Sequence, residues 1–236
     1  MIQNFTLINK KNLTHNVYEL VFKLEKEINM LPGQFITFLI DGLGGRAYSI
    51  LKIKSDKIIL IIKKREISQG GRGGSKLICE LKIGDKLKGV GPAGHFLLNE
   101  NNNNKLFIGT GTGFVPLYNM IESLLENNNK NKIKLIFGIR EEDDVFYLNE
   151  LQNLKKKYSN FGFHLYISRV KDLHQFKLNN PGIIIKSGYT TNFLTKQNIK
   201  DFSETYICGA PNMIESSIEK LKKLDFDEKN IYFEKY

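Results

Sequence analysis

Gly109-Thr110-Gly111-Thr112-Gly113-Phe114-Val115-Pro116 follows the apolar run Leu106-Phe107-Ile108 and leads into a helical pattern. Glycines let a backbone pass close to a phosphate, and the free N–H groups of a helix start attract an anion. Gly111, Gly113 and Pro116 are therefore candidate nucleotide-binding positions, with Pro116 suited to a first helical turn. No Gly-Lys-Ser/Thr follows, so this is not a P-loop, and Gly-x-Gly-x-Gly is not the usual dinucleotide spacing. Where that fingerprint expects an acid on the ribose, the chain has Arg140. Without a ligand the same run is a tight turn. A second cluster is Arg46-Ala47-Tyr48-Ser49: a bidentate phosphate partner, a flat stacking surface and a small hydrogen bonder. Strand alternation sets Arg46 and Tyr48 on one face, Ala47 and Ser49 on the other. A third is Gly70-Gly71-Arg72-Gly73-Gly74-Ser75, either a pyrophosphate cradle or a flexible hairpin loop.

These clusters need elements to hold them. Twelve of the 20 glycines lie between Gly33 and Gly94. Asn16–Leu24 alternates, Gln34–Ile40 and Lys57–Lys63 are β-rich, and Lys86–Val90 is a short candidate strand. Short strands with glycine turns predict a small antiparallel β-barrel. The run Asn99–Asn104 is polar and of low complexity, a natural linker. Beyond it strands and helices alternate. Strands are predicted over 105–108, 132–138, 163–168, 205–208 and 231–234, and helices over 114–125, 145–158 and 210–224. That order predicts a doubly wound parallel sheet in an α/β domain. The division is residues 1–100, a barrel, and 101–236, a nucleotide-binding domain.

Composition excludes several classes. No apolar run reaches the roughly 18 residues of a membrane span, and no secretory leader is evident at the start. Cys79 and Cys208 are the two cysteines, too few for a disulfide framework or a four-thiolate metal or iron–sulfur site. A reducing, cytoplasmic setting follows. The four histidines share no metal-ligand spacing, so no metal is expected. The net charge is +10, with 35 basic residues of which five are arginine. The lysine and asparagine excess is a bias of the source, so each arginine carries more information than each lysine. Basic residues are scattered, which argues against nucleic acid and leaves an acidic protein as the partner that charge favours.

Taken in order, Arg46–Ser49, Gly70–Ser75, Gly109–Pro116, Cys208-Gly209-Ala210-Pro211-Asn212-Met213 and the terminal Glu234-Lys235-Tyr236 resemble the ferredoxin–NADP(+) reductase superfamily over nearly the whole chain. The resemblance implies an FAD-binding barrel and a pyridine-nucleotide domain with the flavin between them. It implies that Arg46 holds the FAD pyrophosphate, Tyr48 packs on the isoalloxazine, Ser49 lies near flavin N5, and Ala47 belongs to the same strip. Gly73, Gly74 and Ser75 match the second FAD phosphate loop, and Lys63 ends the strand that passes the ribityl chain. Thr112 matches the threonine beneath the flavin–nicotinamide junction. Cys208, followed by Gly209, matches the cysteine beside nicotinamide C4. Glu234 and Tyr236 match a C-terminal acid and an aromatic that covers the flavin face. Ser168-Arg169 resembles the pair that grips the 2′-phosphate of NADP(H), with Arg140 as a second candidate, although Glu141 to Asp144 oppose an added phosphate. The implied activity is that of a monomeric ferredoxin/flavodoxin–NADP(+) reductase. Hydride would pass between nicotinamide C4 and flavin N5, and electrons would pass to or from a small acidic carrier, ferredoxin or flavodoxin. A flavin or ferric reductase, or an electron-transfer subunit of a larger complex, would share the fold.

Overall fold

The computed structural model describes residues 2–235. They form two units, one running to Leu98 and including Tyr118–Met120, the other made of Asn99–Leu117 and the chain from Ile121 onward.

The first unit is a closed barrel. Its strands are β1 (Ile2–Asn12), β2 (Val17–Leu24), β3 (Phe35–Ile40), β4 (Gly44–Lys54), β5 (Lys57–Lys63) and β6 (Lys86–Ala93), in the order β1-β2-β5-β4-β3-β6. Every pairing is antiparallel. Closure removes the open edges that a six-stranded sheet would otherwise expose. Inward positions of each strand supply one core, in which Phe5 meets Phe38 edge-on at 5.3 Å between ring centres. Gly89 makes room for that pair, since a Cβ there would lie 2.8 Å from the Phe5 ring. A short helix, α1 (Gly74–Glu80), lays Ile78 and Cys79 on the core. Burial pushes the Cys79 thiol up to about 12. The glycine run before α1 is thus a helix entry rather than a hairpin loop.

Strand β1 lacks a clean sequence signal. Its alternation is broken by an inward Gln3, which accepts from Lys26 N–H at 2.9 Å, and by a register shift between Leu7 and Asn9.

The second unit is a six-stranded parallel sheet of β7 (Lys105–Thr110), β8 (Ile133–Ile139), β9 (Phe161–Ile167), β10 (Ile184–Ser187), β11 (Glu204–Gly209) and β12 (Ile231–Lys235). The order is β10-β9-β8-β7-β11-β12, every pair parallel. Its helices are α2 (Phe114–Glu126), α3 (Leu148–Lys157), α4 (His174–Asn179), α5 (Lys196–Ile199) and α6 (Pro211–Lys223). The chain winds outward from β7 to β10, then returns to lay β11 on the other side of β7. The β7/β11 boundary is the topological switch point, where open α/β sheets take ligands beyond the strand carboxyl ends.

Several predicted bounds shift. Helix α3 begins at Leu148, not 145, because Glu141 and Asp144 close a capping box over a 3-10 turn and Tyr147 adopts φ +60°. Strand β9 ends at Ile167, so Ser168 and Arg169 lie just past it. The short elements β10, α4 and α5 have no counterpart in the sequence reading. Only Ile185 of β10 is buried, so the strand has little hydrophobic pattern.

The asparagine run is no loose tether. Lys105 and Glu204 are 0% and 2% exposed and lie 3.4 Å apart, a fully desolvated pair. Asn101 Nδ2 donates to Glu204 Oε1, and Asn103 Nδ2 does so at 2.8 Å. Lys105 Nζ donates to Asn101 Oδ1 at 2.6 Å, and the Tyr206 hydroxyl donates to Glu204 Oε2 at 3.0 Å. Asn104 Nδ2 donates to the Asp201 carbonyl at 2.7 Å. A buried pair is tolerable only when its remaining hydrogen-bonding capacity is met, and the run meets it.

Candidate active site

In the barrel, β4 carries Arg46, Ala47, Tyr48 and Ser49 in register with Phe38, Thr37, Ile36 and Phe35 of β3. Arg46 Nη1 donates to the Gly45 carbonyl at 2.8 Å, while its buried Nε has no partner among the described residues. A Cβ on Gly74 would fall 2.7 Å from Arg46 Cγ, so glycine is what allows the guanidinium stem against the start of α1. Gly73 takes φ +83°, a conformation that favours glycine. Ser75 Oγ accepts from Arg65 N–H at 3.1 Å. Together these place a half-buried guanidinium with an unpartnered Nε beside a glycine turn, an arrangement that fits a phosphate group. Tyr48 is half-buried against the barrel core, 6.1 Å from the Phe38 ring, and burial pushes its phenol up to about 12. It stays a neutral flat surface at all ordinary pH. Ser49 is buried and Ala47 exposed. Lys63 ends β5, paired with Val17 of β2.

In the second unit, the loop after β7 and the end of β11 meet at the switch point. Gly111 has φ +55°, and Gly111–Gly113 form one 3-10 turn leading directly into α2. No side chain caps α2, and the N–H of its first residue, Phe114, donates back to the Gly111 carbonyl of the 3-10 turn. Pro116 is buried in its first turn. A Cβ on Gly113 would be 2.3 Å from the Cys208 carbonyl oxygen, and one on Gly209 would be 2.3 Å from Thr110 Oγ1. Thr110 Oγ1 also accepts from Ala210 N–H at 3.3 Å. Thr110 is thus a clamp between the two loops, a role hidden in sequence because the eye goes to the glycines around it. Thr112 is half-buried in the same turn.

Across β7, β11 and β12, Gly109, Cys208 and Glu234 are register partners in one row. Cys208 is fully buried. Burial raises the Glu234 carboxyl to about 7, and its Oε2 has no partner among the described residues. Tyr236 lies outside the described residues.

The strand ends away from the switch point gather the remaining positions. Ser168 N–H donates to the Ile139 carbonyl at 3.1 Å and Ser168 Oγ to the same oxygen at 3.3 Å. Arg169 N–H donates to the Arg140 carbonyl at 2.7 Å. Arg140 and Arg169 are both exposed and are held side by side by this backbone bond. Among the described residues no group of three or more His, Cys, Asp or Glu side chains is placed to hold a metal ion. No described helix is long and apolar enough to cross a membrane.

Comparison with known proteins agrees with this division. Residues 4–97 match the oxidoreductase FAD-binding domain family, and residues 107–219 match the oxidoreductase NAD-binding domain family. The toluate 1,2-dioxygenase electron transfer component of Pseudomonas putida is 25% identical over 213 residues, 89% of this chain and 60% of that protein. A component of the Na(+)-translocating NADH-quinone reductase of Marinomonas sp. is 32% identical over 168 residues, 69% of this chain and 40% of that one. The chain spans 40% and 60% of the length of these two curated relatives. Among solved structures, the cytochrome P450 reductase GcoB of Amycolatopsis shares the fold, with TM-score 0.84, 20% identity, and coverage of 100% of this chain and 69% of that one. The ferredoxin–NADP+ reductase of Plasmodium falciparum aligns with TM-score 0.75 and 26% identity, over 99% of this chain and 95% of that one. The chain belongs to the ferredoxin–NADP(+) reductase superfamily, with an oxidoreductase FAD-binding domain and an oxidoreductase NAD-binding domain.

Proposed function

We propose that this protein moves electrons between NADPH and a small acidic one-electron carrier of the ferredoxin or flavodoxin kind. Residues 1–100 would serve FAD and residues 101–236 the nicotinamide coenzyme. FAD, when bound, supplies the exchange between two-electron hydride chemistry and one-electron steps. Arg46 would hold the pyrophosphate with Gly73, Gly74 and Ser75, Tyr48 would offer its neutral ring to the isoalloxazine, Ser49 and Ala47 would line the same strip, and Lys63 at the end of β5 would serve the ribityl chain. In the second domain, Gly111, Thr112, Gly113 and Pro116 receive the coenzyme phosphates. Cys208 and Gly209 form an apolar floor that excludes water from the nicotinamide. Glu234 takes up a proton near neutral pH, and Tyr236 would be the aromatic that yields to the nicotinamide.

One observation carries this reading: Gly109, Cys208 and Glu234 stand in one row at the switch point, directly beside the glycine entry to α2. The choice of NADPH rests on Arg140 and Arg169, joined through their backbones at the carboxyl edge, where two guanidinium groups suit a 2′-phosphate. A second reading is supported by the relatives' names. One is the electron transfer component of a dioxygenase and another belongs to a quinone reductase, both longer than this chain. On that reading the protein is an electron-transfer unit of a larger assembly.

The test is the visible spectrum of the purified protein, followed by anaerobic addition of NADPH or NADH. A flavin spectrum bleached faster by NADPH is expected. Faster bleaching by NADH keeps the flavoenzyme and removes the 2′-phosphate role. A colourless protein that takes up no FAD overturns the proposal.

A further inference from the structure

The carboxyl edge of the parallel sheet is occupied by the reading above, but the amino edge is not. There, beneath β8 and β9, lies an open depression of about 260 Å³ lined by Lys130, Lys132, Lys134, Ser159, Asn160 and Gly162. Lys134 is the unusual member. It faces Gly162 in register across β8 and β9, and a Cβ on Gly162 would come within 3.0 Å of the Lys134 ammonium. Glycine leaves the space in which that ammonium sits.

The chain has many lysines, and most carry no message. Where lysines approach carboxylates they pair: Lys64 with Glu80 at 2.8 Å, Lys76 with Glu66 at 2.9 Å, Lys196 with Asp225 at 2.8 Å and Lys235 with Glu215 at 2.8 Å. Those are surface lysines, which water alone would satisfy. Lys134 is half-buried and has neither an ion pair nor a hydrogen bond among the described residues. Its charged neighbours are other cations. Desolvation is what most disfavours its charge, and Lys132, engaged by Asp201 at 2.7 Å, and Lys155 add to it. A partly desolvated ammonium among like charges, beside a depression, lacks an anion.

We propose that the amino edge of β8 and β9 binds a small phosphate monoester, with the phosphate on Lys134 and Lys130 and the organic part beside Ser159 and Asn160. A dianion suits two ammonium groups that no carboxylate neutralises, and the Ser159 hydroxyl adds a donor. The depression exceeds what a bare phosphate fills, which leaves room for the ester's organic part.

The test uses the FAD-loaded protein, labelled with nitrogen-15. It is titrated with glycerol 3-phosphate, inorganic phosphate and sodium chloride at matched ionic strength. The expected result is a saturable shift of the Ile133, Phe161 and Gly162 amides, with the ester binding more tightly than inorganic phosphate. Lys134→Met should weaken binding about tenfold or more, the loss expected for one charge-assisted contact. Gly162→Ala, which displaces the ammonium without removing it, should weaken it in the same direction and serves if Lys134→Met fails to fold. Shifts no larger than with chloride, or saturable binding that survives both substitutions, would overturn the site. Equal affinity for ester and phosphate would overturn the ester assignment and leave a site for free phosphate. These amides are at the amino edge, so failure of the coenzyme reading would leave the outcome unchanged.

Discussion

Glu234 is the residue whose protonation matters most. Its carboxyl is neutral below about pH 7 in the folded protein, whereas the unfolded chain ionises it from about 4.5 upward. Between those values the folded state holds the extra proton, so stability falls as pH rises and levels off above 7. Glu234→Gln removes this dependence. Melting temperatures of the two proteins from pH 5 to 8 should diverge, with the natural protein losing ground toward neutrality, while turnover of the variant should lose an inflection near pH 7. Arg169 belongs to the same scale. Arg169→Gln should weaken NADPH binding about tenfold or more and leave NADH binding unchanged, measured by coenzyme titration of the flavin spectrum. Residue types such as Arg46, Tyr48 and Cys208 were legible from sequence because their neighbours are distinctive. The state of Glu234 was not, since its perturbed carboxyl comes from burial contributed by distant segments. Thr110 escaped notice for a similar reason: its partner, Ala210, is a hundred residues away.

At the level of elements, the two crossings at the switch point predict different costs for two glycines in one loop. A Cβ on Gly113 strikes the Cys208 carbonyl, whereas one on Gly111 meets open space. Gly113→Ala should cost about 1–3 kcal/mol from overpacking and loosen coenzyme binding. Gly111→Ala should cost about 1–2 kcal/mol from its left-handed backbone alone and spare the β7/β11 contact. Urea unfolding and coenzyme titration separate the two. The alternating strands and helices of the second domain were readable because buried parallel strands such as β7 and β8 carry apolar runs, Leu106-Phe107-Ile108 and Leu135-Ile136-Phe137. β1 and β10 were not, for opposite reasons. β1 points Gln3 inward and slips register, and β10 is a four-residue edge strand with one buried side chain. The buried Lys105–Glu204 pair was equally hidden, because a lysine opening a strand ordinarily means a solvated end. Lys105→Met should cost about 3–5 kcal/mol in urea unfolding, and adding Glu204→Leu should recover most of it.

For the whole molecule, the +10 charge governs encounter rather than fold. If the partner is an acidic carrier, the second-order rate of its reduction should fall steeply between about 20 and 300 mM sodium chloride, and a flat response in stopped-flow measurements would point to a small neutral acceptor. The compositional bias that supplies this charge also supplies the asparagine run, and there the bias has been put under constraint. Counted back from Lys105, the second and fourth asparagines are the ones that hold Glu204, and the residue just ahead of Asn101 is Glu100. One added asparagine would leave both holding positions filled by the same residue type. One lost asparagine would bring Glu100 into the place of Asn101, setting two carboxylates around a single buried ammonium. The tract is thus a ratchet in length, free to grow and penalised for shrinking.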